Sequence, residues 1–130
     1  MLNLYDYMIE EINPICECYS DEYPQDKEAA EGKKVYPYAT ILMYTGIPNN
    51  EYSNNNLIYI DIWSNQHGIT EVETLTDDIY NKLNKLKIMK DDMYLQIFRN
   101  NPCRLNLNDS DVNIKRRQLR FLVKTYEINQ

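Results

Sequence analysis

The chain has 130 residues and a mass of 15.6 kDa, the length of one ordinary domain. Hydrophobic residues make up 43% and charged residues 26%, a balance that supports a core and excludes global disorder. Lys and Arg number 14 against 20 Asp and Glu, a net charge of −6. That argues against a general binder of nucleic acid or anionic membrane, because neutralising phosphates takes clustered cations. No apolar run approaches the roughly 18 residues of a membrane-spanning helix. The opening MLNLYDYMIEEINPI carries acids within its apolar pattern and no basic run, so it does not read as a secretory signal.

Tyr5, Met8, Ile9, Ile12 and Ile15 fall at helical spacing, with Asp6, Glu10, Glu11 and Asn13 on the other side. Pro14 disfavours helical backbone at Asn13, so the helix is expected to end there. Residues 17–34 are polar and acidic with no sustained period and read as a mobile connector. From Val35 the period changes to two. Val35, Pro37, Ala39, Ile41 and Met43 alternate with Tyr36, Tyr38, Thr40, Leu42 and Tyr44, and both sets are largely apolar. This suggests a strand covered on one face and either covered or engaged by a partner on the other. Residues 46–56 read as a polar loop. In the next strand Ile58, Ile60 and Ile62 form one face, and Leu57, Tyr59, Asp61 and Trp63 the other.

Thr70-Glu71-Val72-Glu73 fits a capping box, and Val72, Leu75, Ile79, Leu83 and Leu86 continue as a helix with acids first and lysines last. Residues 93–99 alternate again, 100–113 read as a loop, and a last strand runs from about 114 to 128. The predicted order is αββαββ: an α+β domain spanning 1–130, with a four-stranded, mainly antiparallel sheet and helices packed on one face.

Candidate chemistry is sparse. With three cysteines and one histidine, a zinc site needs all of Cys16, Cys18, Cys103 and His67. Free thiols in a reducing compartment are the simpler expectation. A Cys–His nucleophile would have to use Cys103 and His67, without a local signature to support it. Three glycines cannot write a phosphate-binding loop. Asp109-Ser110-Asp111-Val112-Asn113 starts like a calcium loop but lacks the glycine and distal glutamate that complete one. No catalytic, cofactor or metal residue is therefore assigned. Two features point to contacts instead. Tyr36, Tyr38 and Tyr44 share a strand face, as do Tyr59 and Trp63, and these rings either form an interface patch or pack beneath helices. Arg116, Arg120 and Lys124 share a face of the last strand, as a phosphate-facing or subunit-facing stripe or as charges that blunt edge pairing.

The helix, the Tyr36-Pro37-Tyr38 strand, the strand ending in Ile60-Asp61-Ile62-Trp63-Ser64, the amphipathic helix and two final strands together resemble the tail completion, or tail terminator, proteins of long-tailed phages and prophages. The resemblance covers about residues 1–128 and brings no catalytic motif. It implies a virion structural protein that forms a ring, usually a hexamer, at the head-proximal end of the tail tube. Such a ring ends tube polymerisation and joins the tail to the head connector. The implied partners are other copies of the chain, the tail tube protein and a head connector or neck protein. DNA would pass through the lumen without specific binding, and no membrane or cofactor is involved. Assembly would take place in the host cytoplasm and finish in the virion. Tyr36, Tyr38, Tyr52, Tyr59, Trp63, Arg116, Arg120 and Lys124 are the expected subunit or partner contacts. Two alternatives stand beside this: a head-side neck protein, and a small binding module that uses the aromatic patch.

Overall fold

A computed structural model describes residues 2–44, 47–50, 53–90 and 93–127. Helix α1 (Leu2–Ile12) buries Leu4, Tyr7, Met8 and Ile12 and turns Asp6 and Glu10 to solvent. It stops just before Asn13 and Pro14, where the proline predicts its end. The Asn13 side chain accepts the Cys18 backbone N–H at 2.9 Å and ties the helix end to β1 (Cys18–Ser20). Then follow α2 (Gln25–Glu31), β2 (Tyr38–Met43), β3 (Ile47–Asn50), β4 (Ser53–Ser64), α3 (Thr70–Leu83), β5 (Lys87–Lys90), β6 (Met93–Asn108) and β7 (Lys115–Glu127).

The strands form one seven-stranded sheet in the order β1-β2-β4-β7-β6-β5, with β3 pairing β4 beside β2. It curves into a half-barrel. The β1–β2 pair is parallel and the other pairs are antiparallel.

This overturns the expected αββαββ order, its four strands and its single helical face. The segment 17–34 holds strand β1 and, after it, the crossover through α2 that the adjacent parallel β1–β2 pair requires. Its helix α2 has no buried residue, so no apolar period announced it. Gly32, at φ +74°, turns the chain out of α2. Residues 47–50 and 53–56 are strand despite their asparagines, because the β4–β7 ladder runs on to Ser53 opposite Tyr126. Within the ladder Asn56 is buried and donates to the Val123 carbonyl and to Thr125 Oγ1. Residues 100–108 continue β6, and Pro102 is absorbed where the register shifts between Arg99 and Arg104. Only 109–114 is turn. There Asp109 and Asp111 accept the Asp111 and Asn113 backbone N–H groups, the ordinary work of Asx turns.

Helix α3 differs at both ends. Its N-cap is Ile69, and Thr70 is its first residue, so the capping box does not form. It ends at Leu83, and Lys85 at φ +64° turns the chain into β5, so Lys87 lies in a strand.

One face of the sheet holds the core. Ile41, Ile58, Ile60, Ile62, Leu119 and Phe121 pack there under α1 and α3, and each of these side chains is fully buried. Lys82 of α3 reaches Glu11 of α1 at 3.6 Å and links the two helices. Helix α2 lies on the opposite face, over β1 and β2. There Lys27 donates to the Tyr19 hydroxyl at 2.9 Å, and Tyr23 donates to Glu31 at 3.4 Å. Among the described residues, no helix is long and apolar enough to cross a membrane.

Candidate interaction surface

Period-two alternation places every second residue of β2, β4 and β7 on the face away from α1 and α3. The register then aligns Tyr38 with Trp63 and Arg116, Thr40 with Asp61 and Gln118, and Leu42 with Tyr59 and Arg120. Seven of the eight expected contact residues lie in or beside this surface. Tyr52 lies outside the described residues.

At the β1–β2 end the rings form a chain. Tyr19 and Tyr23 meet edge-on with centroids 5.2 Å apart, and Tyr23 meets Tyr38 at 4.8 Å. Tyr38 stacks on Trp63 at 4.9 Å with the planes 18° apart, and Tyr36 lies 5.2 Å from Tyr38. The Arg116 guanidinium sits 5.1 Å over the Trp63 ring. Tyr38 is buried beneath Tyr19, Tyr23 and Tyr36, so it supports the surface and does not face water. Burial first, and then the neighbouring Tyr36, Asp109 and Glu28, push its hydroxyl pKa well up and keep it neutral.

Toward β7 the surface becomes polar and basic. Asp61 accepts from Arg116 at 3.2 Å and from Gln118 at 2.9 Å, and Gln118 accepts the Arg120 Nε–H at 2.8 Å. The Arg120 guanidinium lies 4.6 Å over Tyr59, and Tyr59 also meets Tyr44 edge-on with centroids 5.1 Å apart. Lys124 approaches the Tyr126 ring at 5.6 Å, and Tyr126 leans on Tyr94. These arginines are therefore held in place before any partner arrives, which lowers the ordering cost of a contact. Around them Leu42 is 37%, Phe98 44% and Tyr44 48% exposed.

Tyr19 and Tyr23 were missed because they sit in the aperiodic 17–34 segment. Leu42 and Phe98 were in the right alternating sets, but alternation does not tell which apolar face stays uncovered.

The residues weighed for chemistry are kept apart. Cys16 and Cys18 are buried in the core, and Cys103 is half-buried beside the β6 irregularity. His67 lies at the rim of a shallow depression shared with Gln66, Gly68, Glu71, Thr74 and Leu75. Cys103 lines a different one, with Arg99, Asn100 and Asn101. Among the described residues, no three His, Cys, Asp or Glu side chains gather as a metal site would require. Arg117 and Arg104 face α3, not the outer surface. Arg117 and Arg104 both pair with Glu73, and Arg104 also pairs with Asp77. Glu73, placed by the spacing in a cap, is thus the clamp between α3 and the sheet.

No protein-family model matches the chain, and no curated protein matches it in sequence. Its fold is similar to that of a chain in a solved structure described as the virion of a native gene transfer agent (GTA) particle. The TM-score is 0.61 at 9% identity, and the match covers 92% of this chain and 84% of that one. At such identity the likeness is one of fold.

Proposed function

We propose that this chain is a structural subunit of a phage-like virion and works by assembly, not catalysis. The observation that carries this reading is the fold likeness to a chain of a gene transfer agent virion, which extends over 92% of the sequence. The outer sheet face supports it, since preorganised arginines set among exposed Leu42, Tyr44 and Phe98 suit a protein contact.

Within that class we read the chain as a tail terminator. Its copies close into a ring, expected to be hexameric, at the head-proximal end of the tail tube. The ring ends tube growth and presents a docking surface to the head connector. DNA passes through the ring unbound, and a subunit with a net charge of −6 suits such a conduit. A head-side neck ring is the second reading, because the virion likeness supports both positions alike.

The test is light scattering after size exclusion over a concentration series, with and without tail tube protein. A species of about six times 15.6 kDa, and shorter tubes when the chain is present during polymerisation, are the expected results. A chain that stays monomeric throughout and leaves tube length unchanged overturns the terminator reading.

A further inference from the structure

The two broad surfaces of the subunit differ in charge. On the outer sheet face beyond α2, the register brings Lys87, Gln96 and Lys124 into one row and places Arg120 and Arg116 farther along β7. Among the described strand residues of that face, Asp61 is the acid set against these four cations, and it is taken up by Arg116 and Gln118. Phe98 stands exposed on β6 between the cations of β5 and β7, and Leu42 stands exposed on β2, beyond Tyr59 from Arg120. The opposite surface is the outer side of α1 and α3. It exposes Asp6, Glu10 and Asp78, while Asp77 is taken up by Arg104 and Lys82 by Glu11. The acids of α2 lie at the far end of the sheet face, over β1 and β2.

We infer that the basic, apolar part of the outer sheet face, around Arg120, Lys124, Leu42 and Phe98, docks on the acidic outer side of α1 and α3 of a second copy of this chain. This rests on the self-assembly reading above and names its contact. Sheet face on sheet face would set base against base, and helix layer on helix layer acid against acid. Only the unlike pairing brings opposite charges together, and like-charge juxtaposition is costly. A contact between two different patches is heterologous, so each copy keeps one patch for the next, as a ring requires. The apolar side chains and the arginine held over Tyr59 supply the kind of groups that carry interface energy.

A charge-swap pair tests this in the full-length chain. The sheet-face variant carries Arg120→Glu with Lys124→Glu, and the helix-layer variant carries Asp6→Lys with Asp78→Lys. Each alone is expected to run as a monomer where the wild type associates. An equimolar mixture should regain the wild-type mass, because one native and one swapped contact then alternate. Association of the wild type should also weaken roughly tenfold from about 0.1 M to about 1 M salt, which tests the charge term without any variant that might misfold. Wild-type mass in either variant alone, a monomeric mixture of folded variants, or salt-independent association overturns the contact. If the wild-type oligomer survives in both variants and still shortens tubes, the contact fails while the terminator reading stands. A wild type that is monomeric alone and inert toward tubes removes both.

Discussion

Arg117 is the one charged side chain among the described residues that is buried, at 8% exposed, and its partner Glu73 is only partly covered. Glu73→Gln leaves that guanidinium without its anion. It should lower stability by about 1–3 kcal/mol in urea unfolding, less than for a fully buried pair because water still reaches the site. The hydrogen bond from Arg117, with the charges of Arg104 and Arg117, holds the Glu73 carboxyl below its usual 4.5. The unfolded chain therefore binds this proton more readily. The contribution is complete above about pH 4.5 and is lost as pH falls through the depressed folded value, so the acid limb of the stability curve should flatten in Glu73→Gln. The thiols give a second readout. Burial pushes Cys16 and Cys18 up to about 12, while Cys103 is only half-buried at the sheet edge. Iodoacetamide near pH 8 should label Cys103 first and the other two only on unfolding, as mass spectrometry would show. That Cys16 and Cys18 lie close together and apart from Cys103 could be read from their spacing. That Glu73 is a clamp and not a cap could not, since Arg104 and Arg117 lie 31 and 44 positions away in the chain.

Among the elements, β4 is central. It pairs with β2, β3 and β7 and sends Ile58, Ile60 and Ile62 into the core. Ile60→Ala removes a fully buried side chain where helices and strands converge and should cost about 2–5 kcal/mol. In contrast, α2 buries no residue, so its stability rests on its ends and its tyrosine contacts. Gly32 holds φ at +74° with open space where a Cβ would stand. Gly32→Ala should therefore lose only about 1 kcal/mol, all of it backbone strain, by urea unfolding. The same contrast explains what could be read in advance. Helices α1 and α3 and the alternating parts of β2, β4, β6 and β7 each carry a buried face, and burial writes a period into the sequence. Helix α2 has no buried face, β1 and β5 are too short to show one, and the Asn-rich ends of β4 and β6 are strands because a neighbour pairs with them.

At the scale of the molecule, helices cover the core face, and α2 with its tyrosines covers one end of the other face. What stays open is the Leu42–Tyr59–Arg120–Phe98 region, and the light-scattering and charge-swap experiments act there. The candidate surface was half legible. The strand faces and the basic stripe follow from period two alone, because a pleated chain has no other way to turn its side chains. Which rings are buried supports and which side chains meet solvent depended on strand order. A parallel β1 beside β2 and a β7 inserted between β4 and β6 bring residues as far apart as Tyr19 and Arg116 onto one surface. The amino-acid order alone settled the acidic charge, the amphipathic elements and the want of any local catalytic motif, since those are properties of composition and short-range spacing. Strand number, sheet order, the side taken by α2 and the separation of basic from acidic surfaces came only with tertiary structure, because they arise from hydrogen bonds and contacts between segments whose sequences carry no record of one another.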